Sequence, residues 1–495
     1  MKTRNLFWCS VVAAIVLGVG LWRLPKRVRT VPDEGPLLVY CAAGLKAPVE
    51  AVVKDAQKEL GSVVELQYGG SGTLLANVRV AGRGDLFLAA DESYIEVARG
   101  QGLIREVVPL ARMTPVVILR KADAGKVRSI QDLLAPGISL ALASPEAASI
   151  GRTLRELFQA RGEWERLQKQ VKVFKPTVND VANDVRLGTV DAGVVWDALV
   201  PQYPDLVGVP LPEFLPAAQT VSVAVLSACR QPAAALRFAR YLAARDRGLK
   251  TLGTLGYRVV EGDVWKPTPE LVLYSGAVNR VAIEESLREF ESREGVRVTR
   301  VYNGCGILVA QMKAGQRPDA YLACDNSFMA EVTDLFSAPV EISETDMVIL
   351  VKKGNAKGIQ GLESLVSKGL KVGVANAKQS ALGELTARML RRAGCYDGVM
   401  ENVVMQSPTG DLLVNETASG ALDAAIVYEV NARQATNRTE MIRIRAGAPT
   451  AVQPFAVGRS SENRHLAERL LAALRSAESK ERYKRAGFGW RGGAP

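Results

Sequence analysis

Histidine is nearly missing from this chain of 495 residues: His465 is the only one. A single imidazole excludes zinc centres built from several histidines. It also makes any Ser-His-Asp or Cys-His mechanism depend on that one residue. Six cysteines are too few for a disulfide scaffold in a chain of this length. Charge of one sign is scarce once the first 30 residues are set aside. Lys2, Arg4, Arg23, Lys26, Arg27 and Arg29, with no acid among them, supply six of the net +11 and leave +5 for the remainder. No basic run resembles a nucleic-acid surface, so nucleic acid is not an expected partner. Hydrophobic content of 48% and charged content of 23% exclude wholesale disorder. At roughly 100–200 residues per domain, the length calls for more than one folded unit.

The N-terminus carries an apolar run from Leu6 to Trp22, LFWCSVVAAIVLGVGLW, with basic residues on both sides. Residues 1–30 therefore read as a signal peptide or an uncleaved membrane anchor, a hydrophobic helix that sends the rest of the chain across the membrane. No small-x-small cleavage site follows it. Basic residues at both ends leave its orientation undetermined by charge.

The rest of the chain says the same thing twice. LLVYCAAGLK (37–46) matches LVLYSGAVNR (271–280) at an offset of 234, and the same offset pairs YGGSGTL (68–74) with YNGCGIL (302–308). It also pairs DLFLAADES (85–93) with DAYLACDNS (319–327). Farther on the offset is 232: Gly151 pairs with Gly383, Pro176-Thr177 with Pro408-Thr409, and DAGVVW (191–196) with DAAIVY (423–428). Order kept over so long a stretch means tandem duplication. The reading is a module over 36–262, a linker rich in proline at Glu261–Pro269, and a second module over 268–490.

Each copy alternates short apolar segments (37–43, 63–69, 85–90 in copy one) with helical patterns. Val49, Val52, Val53, Ala56 and Leu60 share one face behind Pro48, and Ile283, Leu287 and Phe290 repeat that stripe. Strands separated by helices predict α/β lobes with parallel sheets, which bind ligands at the carboxyl ends of their strands. The turns at 41–46, 69–73 and 89–93 are the candidate site. In YGGSGTLL, glycines allow close approach, Ser71 and Thr73 offer hydroxyls, and a helix N-terminus exposes free N–H groups. That suits an oxyanion. The turn lacks a P-loop lysine, which disfavours a nucleotide.

Four segments in order, VYCAAGL, YGGSGTLLANV, GDLFLAADESYIE and KPTVNDVANDVRLGTVDAGVVW, resemble the molybdate-type family of periplasmic substrate-binding proteins. Both copies follow this order. The resemblance implies two tandem periplasmic-binding-protein modules, each of two α/β lobes joined by crossing strands and closing on a tetrahedral dianion. It also implies delivery to an ABC permease, with no catalysis, cofactor or metal. In copy one it points to Ser71, the backbone N–H of Ala90, Ser149 and Asn179. It also points to Trp196, where the family has a tyrosine, and to Gly44, where the family has a serine. The copy-two counterparts are Val278, Cys305, Cys324, Ala381, Asp411 and Tyr428. Cys305 and Cys324 are open to three readings: a disulfide, a soft-metal or redox pair, or the mark of a copy that has lost its ligand. Alternative functions are binding of ferric iron or a small organic anion, a sensory or scaffold role, or a thiol redox enzyme.

Several residues are expected to be purely structural. Asp91 and Asp325 read as helix caps, Cys41 as a small buried side chain, and His465 as a solvated helix residue. REFESREG and SKERYKR read as solvated helix faces.

Overall fold

The computed structural model describes residues 35–444 and 447–493. The run Leu6 to Trp22, expected to be an anchor or signal, lies outside them. Among the described residues no helix is long and apolar enough to cross a membrane.

Four sheets form, two in each copy. The first lobe of copy one orders its strands Arg258–Val259, Ile104–Met113, Gln219–Leu226, Leu86–Ala89, Leu37–Ala42, Val64–Gly69. Its second lobe orders them Val171–Lys175, Leu140–Ala143, Ala192–Trp196, Pro115–Arg120, Leu206–Val209. Copy two repeats both orders strand for strand. Its first lobe runs Gly489–Trp490, Val340–Thr345, Ala451–Val457, Ala320–Leu322, Glu270–Gly276, Arg297–Asn303. Its second runs Val403–Ser407, Val372–Ala375, Ala424–Tyr428, Met347–Lys352, Thr439–Arg443. Register repeats as well: Cys41 pairs with Tyr68, and Ser275 with Tyr302. The repeat in sequence is thus a repeat of fold.

The sheets are mixed where the strand–helix alternation predicts parallel ones. Leu37–Ala42 is parallel to both Val64–Gly69 and Leu86–Ala89, but Gln219–Leu226 runs antiparallel to Leu86–Ala89. Pro115–Arg120 likewise opposes Ala192–Trp196. These are the strands next to the lobe crossings. Ile104–Met113 leaves the first lobe, Thr114 joins it directly to Pro115–Arg120 of the second, and Gln219–Leu226 carries the chain back. A strand arriving from the opposite lobe enters the sheet from the other end.

Helix Lys46–Leu60 buries Pro48, Val49, Val52 and Ala56, with Val53 and Leu60 at the margin, and stops at left-handed Gly61 (φ 69°). In copy two, helix Arg280–Glu294 buries Ile283, Leu287 and Phe290. Gly151 and Gly383 are glycines for one shared reason. A Cβ there would stand 2.3 Å from the Ala143 carbonyl oxygen and 2.5 Å from that of Ala375, where each helix crosses a strand end.

The segment Glu261–Pro269 is packed, and the copies are tied through it. The Asp263 carboxylate accepts the backbone N–H groups of His465 and Leu466, both at 3.0 Å, and Trp265 meets Tyr241 edge-on with centroids 5.0 Å apart. Three expectations of solvated residues fail here. Glu294, in REFESREG, is buried between Arg240 of copy one and Arg469 of copy two, at 3.0 and 2.7 Å. Ser479 and Tyr483, in SKERYKR, are buried as well. His465 places Nδ1 3.4 Å from Glu468, and its Nε2 is buried without a partner. Contact between the copies encloses Glu294 and draws in His465, whereas Ser479 and Tyr483 are covered within copy two, by Ser286 and by Phe488 and Trp490.

Candidate binding cleft

Strand Val64–Gly69 delivers the chain to extended Gly70, and Ser71 opens helix Ser71–Ala81. Gly70 offers no capping side chain, so the first N–H groups of the helix need partners from elsewhere. Gly72 and Thr73 donate theirs to the carbonyl of Ala147 in the opposing lobe, at 2.9 and 3.3 Å. A Cβ on Gly70 would stand 2.3 Å from that oxygen and 2.6 Å from the carbonyl oxygen of Pro176. One on Gly72 would stand 2.4 Å from the Glu146 oxygen. The sequence assigns these glycines to close approach of a ligand, whereas the backbone they admit belongs to the second lobe. Copy two repeats the contact. Gly306 donates to the Gln379 carbonyl at 3.0 Å, and a Cβ on Gly304 would meet the carbonyl oxygens of Gln379 at 2.3 Å and Pro408 at 2.6 Å. Both clefts are closed.

The buried Ser71 hydroxyl accepts the Ala90 N–H at 3.2 Å, which joins the second and third strand-end turns. Ser149 is buried and begins helix Ser149–Ala160, whose preceding residue, Ala148, supplies no cap. It stands two residues beyond the Ala147 carbonyl that meets the Ser71 turn. On the other side of the cleft a Cβ on Gly44 would lie 3.1 Å from Val178 and 4.0 Å from Trp196, both of the second lobe. A serine in that place would press on Val178. Trp196 is buried with its indole N–H unpartnered, and the side-chain oxygen of Asn179, next to Val178, is buried and unpartnered too. Ser71 and Ala90 are hydrogen-bonded, and Gly44 faces Val178 and Trp196 across the cleft. Ser149 and Asn179 lie next to cross-lobe contacts.

Asp91 and Asp325 cap helices as expected, accepting from the N–H of Tyr94 at 3.3 Å and of Ser327 at 3.0 Å. Asp91 has a second attachment across the cleft, from the Thr153 hydroxyl at 3.4 Å. Burial pushes its carboxyl above the usual range, partly offset by Ser93, Tyr94, Thr153 and the charge of Arg152. Sequence reasoning missed Thr153 and Arg152, the latter stacked over the Tyr94 ring at 5.6 Å. It also missed Tyr257, whose hydroxyl donates to the Gly44 carbonyl at 2.5 Å. Arginine and threonine in the first turns of a helix are common, so only the contacts mark these residues. At the lobe crossing, Asp197 accepts the Thr114 N–H at 3.0 Å and returns its own N–H to the Thr114 carbonyl at 2.9 Å. Arg258 of the first lobe binds the same Asp197 at 2.7 Å.

Copy two changes the chemistry position by position. Ser71 becomes Cys305, Ala90 Cys324, Ser149 Ala381, Asn179 Asp411, Arg152 Glu384, Trp196 Tyr428 and Gly44 Val278. Hydroxyl, amide and guanidinium donors give way to thiols, carboxylates and apolar groups. The hydroxyls of Tyr321 and Tyr428 are buried without partners, as is one oxygen of Glu384. Cys41 of copy one is fully buried, and its thiol is raised well above the usual range, chiefly by burial.

The sequence profile described as bacterial extracellular solute-binding protein matches residues 37–258 and again 271–489. A binding protein of Haemophilus influenzae is 30% identical over 159 residues, which is 32% of this chain and 65% of that relative, just under two thirds of its length. The molybdate-binding protein ModA of Mycobacterium tuberculosis is 26% identical over 42% of this chain and 79% of its own. Among solved structures, the periplasmic molybdate-binding protein of Azotobacter vinelandii is 20% identical, covering 46% of this chain and all of its own, with a TM-score of 0.38. With almost all of the described chain matched by two successive copies of one profile, the protein belongs to the bacterial extracellular solute-binding protein family.

Proposed function

We propose that this is the exported solute-binding component of an ABC transporter, and that copy one captures a tetrahedral oxyanion of the molybdate or tungstate kind by lobe closure. The observation that carries the reading is the pair of uncapped helix starts, at Ser71 and Ser149, which approach each other from opposite lobes. Each presents a buried serine hydroxyl, and Trp196 adds an unpartnered buried N–H. Neutral donors fixed in a closed, dry cleft stabilise a dianion without a mobile counterion. Relatives that bind molybdate support this cargo. Ligand contacts from both lobes would favour the closed state. Residues 1–30 would export the chain and, if retained, tether it beside its permease.

Ferric iron suits the cleft less well. The hydroxyls of Tyr40 and Tyr68 are engaged elsewhere, with the Arg83 carbonyl at 3.2 Å and Glu50 at 3.1 Å. The test is titration calorimetry of residues 31–495 with molybdate and tungstate, sulfate and phosphate serving as competitors. One tight site lost in the double variant Ser71→Ala, Ser149→Ala is the expected result. Absence of heat with all four anions would overturn the oxyanion assignment, and iron in the isolated protein would replace it.

A further inference from the structure

The sulfurs of Cys305 and Cys324 lie 2.7 Å apart, both buried, where copy one has the Ser71 hydroxyl and the Ala90 methyl. Cys305 opens helix Cys305–Lys313, and Cys324 ends the turn after strand Ala320–Leu322. The backbone bond between the two positions is kept: the Cys324 N–H donates to the Cys305 sulfur at 3.0 Å. A third position has changed with them. Where copy one has Ala42, copy two has Gly276, and a Cβ there would stand 2.0 Å from the Cys324 sulfur and 3.0 Å from that of Cys305. The methyl group absent from Gly276 is the room the two sulfurs occupy. Cys305, Cys324 and Gly276 therefore form one coordinated change, unlike the independent drift of an unused site.

We propose that Cys305 and Cys324 form a disulfide in the exported protein, which replaces the anion-binding donors of copy two with a covalent link between its second and third strand-end turns. A metal site is the less economical reading. Among the described residues, no group of three or more His, Cys, Asp or Glu side chains is placed to hold an ion. Burial disfavours ionisation of both thiols, and a disulfide removes both ionisable groups. Extracellular solute-binding proteins work in compartments where disulfides persist. The bond forms by exchange with the disulfide of a dithiol oxidant. Cys305 thiolate attacks one oxidant sulfur and expels the other as thiolate. Cys324 thiolate then attacks the Cys305 sulfur and expels, as thiolate, the oxidant sulfur bonded to it. Two electrons and two protons pass to the oxidant, leaving it a dithiol. Both thiols are buried in the folded state, so exchange precedes closure of the turn.

The test uses the full chain exported to an oxidising compartment, denatured without reductant, alkylated with iodoacetamide and mapped by mass spectrometry. The expected result is a cross-linked peptide pair containing Cys305 and Cys324, with label on Cys41, Cys229 and Cys395. After reduction, label appears on Cys305 and Cys324 as well. Label on both without reduction overturns the proposal, and one equivalent of copper or zinc in that same protein identifies a metal site instead. The double variant Cys305→Ser, Cys324→Ala restores the pair found in copy one and guards against a mere folding failure. It should fold and lose the cross-link. It should also lower the melting temperature of copy two by on the order of 5–10 °C, matched by reduced wild type.

Discussion

Gly70 of one lobe and Ala147 of the other approach so closely that a single methyl group on Gly70 would lie 2.3 Å from the Ala147 carbonyl oxygen. Closure is therefore a backbone-to-backbone contact, sealed by the N–H groups of Gly72 and Thr73 on that oxygen. Copy two preserves it at Gly304 and Gln379 while changing almost every side chain around it. The closing geometry belongs to the fold, and the chemistry inside it differs from copy to copy.

Gly70→Ala should leave each lobe folded and block closure of copy one. Because a ligand gains from contacts on both lobes, anion affinity should fall about 10-fold or more. Calorimetry with molybdate measures the loss. Unchanged affinity would mean that the ligand is held by one lobe.

Ser71→Ala removes the hydroxyl that accepts the Ala90 N–H at 3.2 Å. A hydrogen bond to a charged partner contributes about 1.5–3 kcal/mol, so binding should weaken roughly 10- to 100-fold. Cys305→Ala in copy two should leave the anion isotherm unaltered, since that copy is not expected to take the anion.

Asp91 titrates above its ordinary value of 3.8 because burial disfavours its charge. The native state then holds the proton more tightly than the unfolded chain. The contribution is full below about pH 3.8 and is lost as pH rises through the elevated native value. Asp91→Asn keeps a capping oxygen and should flatten that slope. Urea midpoints of both proteins across the acid range check it.

Glu294 behaves in the opposite sense. Burial alone would raise its carboxyl, but Arg469 and Arg240 outweigh burial and hold it below its usual 4.5. Its stabilisation is present above that value and disappears as pH falls through the lowered native one. Glu294→Gln leaves two buried guanidinium groups facing each other without a counter-charge, at a cost of about 3–5 kcal/mol. Scanning calorimetry should show copy two melting earlier and the two copies uncoupling.

Much of this was legible in the sequence. The two-fold repeat, the cap residues Asp91 and Asp325, and the buried stripe of helix Lys46–Leu60 follow from local pattern, because offset, capping and helical period are properties of nearby residues. The turn at Ser71 could be placed because glycine and serine between a strand and a helix mark a helix start without a capping side chain. Other features depended on distant parts of the chain meeting. Gly70 serves the opposing lobe through Ala147, 77 positions away, and Glu294 is buried by arginines 54 and 175 positions away. Cys305 and Cys324 follow strands that lie on either side of Glu270–Gly276, and the dependence of their approach on the missing methyl of Gly276 was visible only in three dimensions. The sequence by itself determined the family, the duplication and the turns that face the cleft, since each is written in short-range order. Only the tertiary structure decided which glycines hold the lobes together, which charges are buried between the copies, and how closely the two sulfurs of copy two meet, because each depends on groups brought together by chain crossings that no local pattern encodes.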